Sequence, residues 1–186
     1  KKVLDSLDLL TKRTEYYLNI GANEPTFVNR LAGVGKLSKE QAIALGAVGP
    51  TLRASGVAMD VRKDDPYAVY SEIPFEVCTA DSCDVLGRTV VRVKELIQSY
   101  KMIEFLLKNL PDGPFKVKAP RKVKPGEVYS RYEAPRGENV HYIKSNGSDK
   151  PERLKVRAPT LANYPATIAM LKNGYIADIP LIFAAI

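Results

Sequence analysis

Apolar positions recur with a helical period in two long stretches of the chain. From Val85 to Leu110, Leu86, Val90, Val93, Ile97, Tyr100, Ile103, Leu107 and Leu110 fall on one stripe at three- and four-residue steps, the spacing of an amphipathic helix. At 1.5 Å per residue that helix is roughly 40 Å long, enough for the central spine of a bundle. Pro111 and Gly113 end it. Arg88, Arg92, Lys101, Glu104 and Lys108 take the opposite face, which is expected to meet a neighbouring subunit in the intact protein. Residues 3–20 repeat the pattern with Leu4, Leu7, Leu10, Tyr17 and Ile20, ending at Gly21.

Shorter signals fill the intervals. Phe27 to Gly35 reads as a short strand or loop; its Gly33-x-Gly35 lacks the third glycine and the long preceding strand of a dinucleotide site. Ser38 to Gln41 is a capping box opening a short helix to about Gly46. Gly49-Pro50 stops regular structure, and Asp65 to Phe75 is a loop over a core, with Tyr67 and Tyr70 as packing residues. Strand-like runs follow at Glu127 to Tyr132 and Val140 to Lys144. Asn146-Gly147 is a strong turn dipeptide, and Arg153 to Arg157 alternates as a third strand. Thr160 caps a helix to Asn173, with Gly174 after its end. Asp178 caps a last helix from Ile179 to Ile186, whose exposed Leu181, Ile182, Phe183 and Ile186 read as a truncated end. The expected fold is α+β: mainly a helical bundle with a small antiparallel sheet of about three strands. We expect one domain, a fragment of a larger subunit: an N-terminal helix (1–24), a helical core (25–110), a basic proline-rich linker (111–126), the sheet (127–158) and C-terminal helices (159–186).

Composition narrows the class. The 186 residues are 45% hydrophobic and 26% charged, as in an ordinary globular protein. No run approaches the 18 or so apolar residues of a membrane span, and Lys-Lys-Val-Leu-Asp is not followed by the apolar core of a signal peptide. The net charge is +7, from 28 basic and 21 acidic residues. Pro111 to Arg136 holds seven Lys/Arg against three Asp/Glu, but also five prolines and two glycines. It reads as an extended linker with a solvated face. Lys116, Lys118, Lys122 and Lys124 lack the interleaved aromatics that stack on bases, so nucleic acid is not the expected partner.

Candidate chemistry centres on Tyr129 to Tyr142. Pro135 fixes its own backbone and extends Ala134, while Gly137 frees the next step. Arg136 is therefore held on a stiff bend as a permanently charged donor fork; a plain hairpin turn with a solvated arginine fits the same residues. Arg53, Asp60 and Arg62 are read as a buried ion-pair cluster, structural first and cavity-lining second. Cys78 and Cys83, with four residues between them and no further Cys nearby, make a weak metal signal and read as buried or semi-buried thiols. His141, alone of its kind, reads on spacing as a packing residue.

Several stretches resemble a known family. Glu133-Ala-Pro-Arg-Gly137 followed by His141 is similar to the motif of [NiFe]-hydrogenase large subunits. Gly49-Pro-Thr-Leu-Arg-Ala-Ser-Gly-Val57, Asp60-Val-Arg62 and Pro66-Tyr67…Tyr70 resemble the signature shared by membrane-associated, energy-converting hydrogenases and the quinone-chamber subunit of complex I. Arg157-Ala-Pro-Thr160…Asn163 and Gly174-Tyr-Ile-Ala-Asp178 continue the match in order. The resemblance implies an oxidoreductase subunit with a Ni-Fe centre in the intact protein, held by two Cys-x-x-Cys pairs outside this chain. It further implies Arg136 and Pro135 at the catalytic position, and Glu133, His141, Arg53, Asp60 and Arg62 behind them. Arg136 and Thr160 would face the cofactor. The implied partners are a small [4Fe-4S] electron-transfer subunit and membrane subunits at the cytoplasmic face. The fragment alone is expected to be inactive and without nickel. The alternatives are a quinone-chamber or F420H2/NADH dehydrogenase subunit, and a non-catalytic basic interaction module.

Overall fold

The computed structural model describes residues 2–186. The first helix, α1 (Lys2–Asn23), runs on past Gly21. Phe27 folds back against the helix beside Gly21, where a Cβ would stand in ordinary contact, 3.4 Å from the ring. The face that α1 turns inward is Leu4, Leu7, Thr11, Thr14 and Leu18, while Leu10, Tyr17 and Ile20 of the expected stripe are exposed. The expected strand or loop at Phe27 is instead a helix, α2 (Pro25–Leu31). Glu24 accepts a hydrogen bond from Thr26 N at 3.1 Å, and Pro25 supplies a preset φ in the first turn.

The Ser38 capping box forms as the residues dictate and opens α3 (Lys39–Ala44). Gly49-Pro50 starts structure rather than stopping it, because Pro50 sits in the first turn of α4 (Pro50–Arg53), where its missing N–H costs nothing. Asp60 accepts from Arg62 N at 3.0 Å and opens α5 (Val61–Asp64). The main core gathers Leu31, Leu37, Ala42, Leu52, Val85 and Ile182 with their neighbours. A smaller cluster of Ile73, Phe75 and Met102 lies under Tyr70 and Phe105. Tyr67 and Tyr70 pack edge to face at 4.9 Å.

The spine is α6 (Val85–Lys108), capped by Asp84, which accepts from Gly87 N at 2.9 Å. It packs along α1 and against α4. Its polar and apolar faces do not divide as expected. Leu96, Ile103, Leu107 and Leu110 are exposed, whereas Arg88 is fully enclosed and Val91 and Met102 are buried.

After the basic segment, β1 (Gly126–Ala134), β2 (Gly137–Ser145) and β3 (Arg153–Arg157) form an antiparallel meander in that order. Ala134 pairs with Gly137, so Pro135 and Arg136 are the whole β1–β2 turn. This turn lies against the start of α4. A Cβ on Gly49 would collide with the Arg136 carbonyl and Gly137 Cα, and one on Gly137 would stand 2.7 Å from Gly49 N. Both glycines also have positive φ, 66° and 127°, which side-chain-bearing residues rarely adopt.

The C-terminal segment departs from the single Thr160-capped helix. Ala158 takes the N-cap position of α7 (Pro159–Ala162) without a side-chain cap, Thr160 lies inside it, and the helix is interrupted at Asn163 before α8 (Tyr164–Leu171). A short 3-10 turn (Ile176–Asp178) precedes α9 (Ile179–Ala184). Asp178 occupies the cap position without capping; its carboxylate pairs with Arg30 at 2.7 Å. Ile182 and Ile186 are buried in the main core, leaving Phe183 exposed among the apolar residues expected at the surface. No described helix is long and apolar enough to cross a membrane.

Candidate functional site: a cleft braced by buried ion pairs

A cleft of about 420 Å³ opens between α4, α5, α6 and the end of β1, lined by Arg53, Arg62, Arg92, Glu95, Glu133 and Pro135 among others. Its organising side chain is Arg53, 1% exposed. Arg53 Nε donates to Glu95 at 2.6 Å. Its Nη1 donates to Glu133 at 2.8 Å and to the Met59 carbonyl at 3.0 Å, with Asp60 3.5 Å away. Asp60 is held from its other side by Arg62, whose Nε and Nη2 reach its two oxygens at 2.9 and 2.6 Å. Four elements are thus tied by one guanidinium: α4 supplies it, and α6, β1 and the turn before α5 supply its acceptors.

The electrostatics follow from burial and pairing. Burial works to raise Asp60, but the Arg62 bond and the Arg53 charge outweigh it and hold the carboxyl below its ordinary range. Burial likewise works against the charge on Arg53, and Glu95, Glu133 and Asp60 together reverse that, so the net direction is up. Glu133 goes the other way: burial dominates over Arg53 and raises it. Tyr67, whose hydroxyl oxygen accepts from Glu133 N at 3.2 Å, is pushed up to about 12 by burial.

The structure brings Arg53, Asp60, Arg62 and Glu133 into one network and sets Pro135 on its rim. Arg136 follows on the same turn with an exposed side chain, close enough for its charge to depress the basicity of Arg92. His141 stands apart from this group. It lies four residues along β2 from the turn, about 13 Å at strand rise, and stacks on Tyr132 with ring centres 5.7 Å apart. Thr160 is exposed on α7. Cys78 and Cys83 are partly buried free thiols, with their sulfurs directed at the carbonyls of Glu76 and Asp81.

Sequence reasoning left out Glu95 and gave Arg92 and Asn163 no role at the site. Arg92 and Glu95 lie on α6, Arg92 on the face expected to meet a neighbouring subunit. Asn163 is fully enclosed: its Oδ1 accepts from Val48 N at 2.8 Å and its Nδ2 donates to Val48 O at 3.2 Å. It thereby fixes the strand-like link that abuts the Arg136 turn. A signal was available for the α6 pair, since Asp84, Arg88, Arg92 and Glu95 recur at four-, four- and three-residue steps, a stripe in its own right.

Comparison with known proteins places this geometry. The chain matches the family described as "Respiratory-chain NADH dehydrogenase, 49 Kd subunit" over residues 1–126 and 117–186. It is 43% identical to a subunit of the NADH-quinone oxidoreductase of Dehalococcoides mccartyi, covering 100% of this chain and 50% of that protein. It is also 43% identical to the carbon monoxide-induced hydrogenase of Rhodospirillum rubrum, covering 87% of this chain and 45% of that one. A solved structure, the membrane-bound sulfane sulfur reductase described as an archaeal respiratory membrane complex, aligns with a TM-score of 0.79 at 36% identity, over 96% of this chain and 54% of its own. The chain therefore spans about half the length of these relatives. Its order of motifs, its α+β fold and its match along the whole sequence agree: the chain belongs to the family of oxidoreductase subunits typified by the 49 kDa subunit of respiratory NADH dehydrogenase, which takes in both NADH-quinone oxidoreductase and hydrogenase relatives.

Proposed function

We propose that the chain is part of the large subunit of an energy-converting [NiFe]-hydrogenase, working in a complex at the cytoplasmic face of a membrane with a small [4Fe-4S] subunit and membrane subunits. The observation that carries this reading is the Pro135-Arg136 turn, clamped against Gly49 at the rim of a polar cleft whose walls are locked by ion pairs. The 43% identity to a carbon monoxide-induced hydrogenase supports it.

The residues present do not themselves make a nickel site. Cys78 and Cys83 are directed at backbone carbonyls, and among the described residues no group of three His, Cys, Asp or Glu side chains is placed to hold a metal ion. Thiolate ligands, which suit that soft metal, would have to come from outside these residues, and no step is assigned through the metal. What this chain contributes is position and charge. Arg53 fixes α4, α5, β1 and α6 relative to one another. The Gly49–Gly137 contact fixes the turn. Arg136 follows Pro135 on that fixed turn with its side chain exposed, so that its cationic fork would reach a reactant bound at the cleft mouth and stabilise developing charge there.

A second reading has its own support: the family match and the NADH-quinone oxidoreductase relatives favour a quinone-chamber protein using the same cleft. Metal analysis and turnover of the full-length protein decide between them. Stoichiometric nickel with H2-dependent dye reduction is the expected result. Quinone-dependent electron transfer without nickel would replace the hydrogenase reading with the second.

A further inference from the structure

The buried face of α6 carries two arginines whose hydrogen bonding is incomplete. Arg88 is 0% exposed. Its Nη2 donates to the Gly35 carbonyl at 2.8 Å, while its Nε and Nη1 are buried without an acceptor. Arg92, one turn on and lining the cleft, has Nε and Nη2 in the same condition. Unpaired buried guanidinium nitrogens are costly, and like charges four residues apart on a helix repel. The acids nearby are already committed. Asp84 accepts from Gly33 N, Ser82 and Gly87 N. Asp60, Glu95 and Glu133 are engaged by Arg53 and Arg62. Burial lowers Arg88 to about 10 and also lowers Arg92, to which the Arg136 charge adds.

The pattern of orphaned atoms says what is missing. Nε and Nη2 form the side-on edge of a guanidinium, two parallel donors matched to the two oxygens of a carboxylate. Arg62 uses this same edge to hold Asp60. On Arg92 the whole edge is unused. We propose that Arg92 and Arg88 form a carboxylate-binding site, with Arg92 gripping both oxygens side-on, Arg88 supplying positive charge one turn behind, and the Pro135-Arg136 turn closing the rim. The carboxylate comes from one of two sources. It is an Asp or Glu side chain of polypeptide outside these residues, for which the doubled length of the relatives leaves room, or a small diffusible carboxylic acid entering the 420 Å³ cleft. The inference shares the cleft with the proposed function but does not depend on nickel.

The test is the structure of the full-length protein in its native complex, prepared in chloride buffer without organic acids, beside that of Arg92→Gln. A carboxylate with both oxygens within about 3 Å of Arg92 Nε and Nη2 is expected. Continuous polypeptide density names a side chain as its source. Isolated density, with the acid recovered by mass spectrometry after denaturation, names a diffusible ligand. In Arg92→Gln the carboxylate should leave or turn away. Water, chloride or backbone carbonyls alone at those nitrogens would overturn the proposal, and so would a carboxylate that keeps its place in Arg92→Gln. Metal content reports on the hydrogenase reading separately and is indifferent to either result.

Discussion

Replacing Arg53 by methionine tests whether the ion-pair network holds the cleft together. Met keeps the stem length and its packing and removes the charge. Asp60 retains Arg62 as a partner at 2.6 Å, but Glu133, with a side chain 5% exposed, loses the cation 2.8 Å away. Removing one member of a buried pair costs about 3–5 kcal/mol, because the other is left charged and unpaired. That is a large share of a total stability of about 5–15 kcal/mol. Urea unfolding of the full-length subunit at pH 7 measures it. The cause is isolated by a second step: Glu133→Gln in the Arg53→Met background removes the stranded charge, and the pair should show a coupling of about 1–3 kcal/mol. The pH dependence gives an independent check. Glu133 is already raised by burial and rises further without Arg53. The folded state then binds its proton more tightly than the unfolded state, so stability falls as pH climbs from the unfolded carboxyl value, about 4.3, through the raised folded one. The deficit of Arg53→Met should therefore shrink on acidification toward pH 5. A cost below about 1 kcal/mol, or additivity within about 0.5 kcal/mol, would refute the network as the brace.

Asp60 is depressed in the folded state, so its contribution is complete above its unfolded value near 4 and lost as pH falls through the lower folded one. Asp60→Asn should flatten the acid limb of a stability profile below about pH 4, and an unaltered limb counts against its pairing. Asn163→Ala leaves the N–H and C=O of Val48 buried and unpaired, at about 1–3 kcal/mol each before relaxation; denaturant titration showing a loss under about 1 kcal/mol would mean that Val48 is held by other contacts. Arg136→Lys keeps the charge and loses the planar fork. On the proposed hydrogenase reading, H2 turnover of the full-length protein should drop roughly 100-fold, the scale of losing one preorganised donor, at unchanged nickel content. Near-normal turnover would remove Arg136 from the reaction.

Signals that act over a few residues were readable in the sequence. Ser38 and Gln41 cap each other within one turn, and Pro135-Arg136 makes the whole β1–β2 turn, so α3 and the first hairpin appear where the residues put them; Asn146-Gly147 only begins the longer 146–152 loop between β2 and β3. Proline and glycine mislead when they are taken only as breakers. Pro25 and Pro50 start helices, and α1 runs on through Gly21 to Asn23. Thr160 fails as a cap for a related reason: Pro159 has already opened the helix one residue earlier. These outcomes depend on which neighbour arrives across space, and spacing along the chain does not carry that.

The misread face of α6 has a more general cause, and it bears on the site. Periodicity shows that Arg88, Arg92, Lys101, Glu104 and Lys108 differ from the leucine stripe; it does not show which face is inward. Hydrophobicity favours burying leucine by about 25 cal/mol per Å², so the default puts arginine outside. That default fails where a charge on α6 meets an opposite charge on another element. Glu95 of α6 and Arg53 of α4 are such a pair, 42 residues apart in sequence and 2.6 Å apart in space. Where α4 and β1 converge on that point, the polar positions of α6 before Ser99 lie inward and Leu96 is turned out. Burying these charges costs stability relative to an apolar core, and the chain accepts that cost along the very stripe that walls the cleft. Lys101, Glu104 and Lys108, farther along the helix, remain exposed as expected. The boundary between the two behaviours, near Ser99, marks where α6 stops being the wall of the site and becomes scaffold surface.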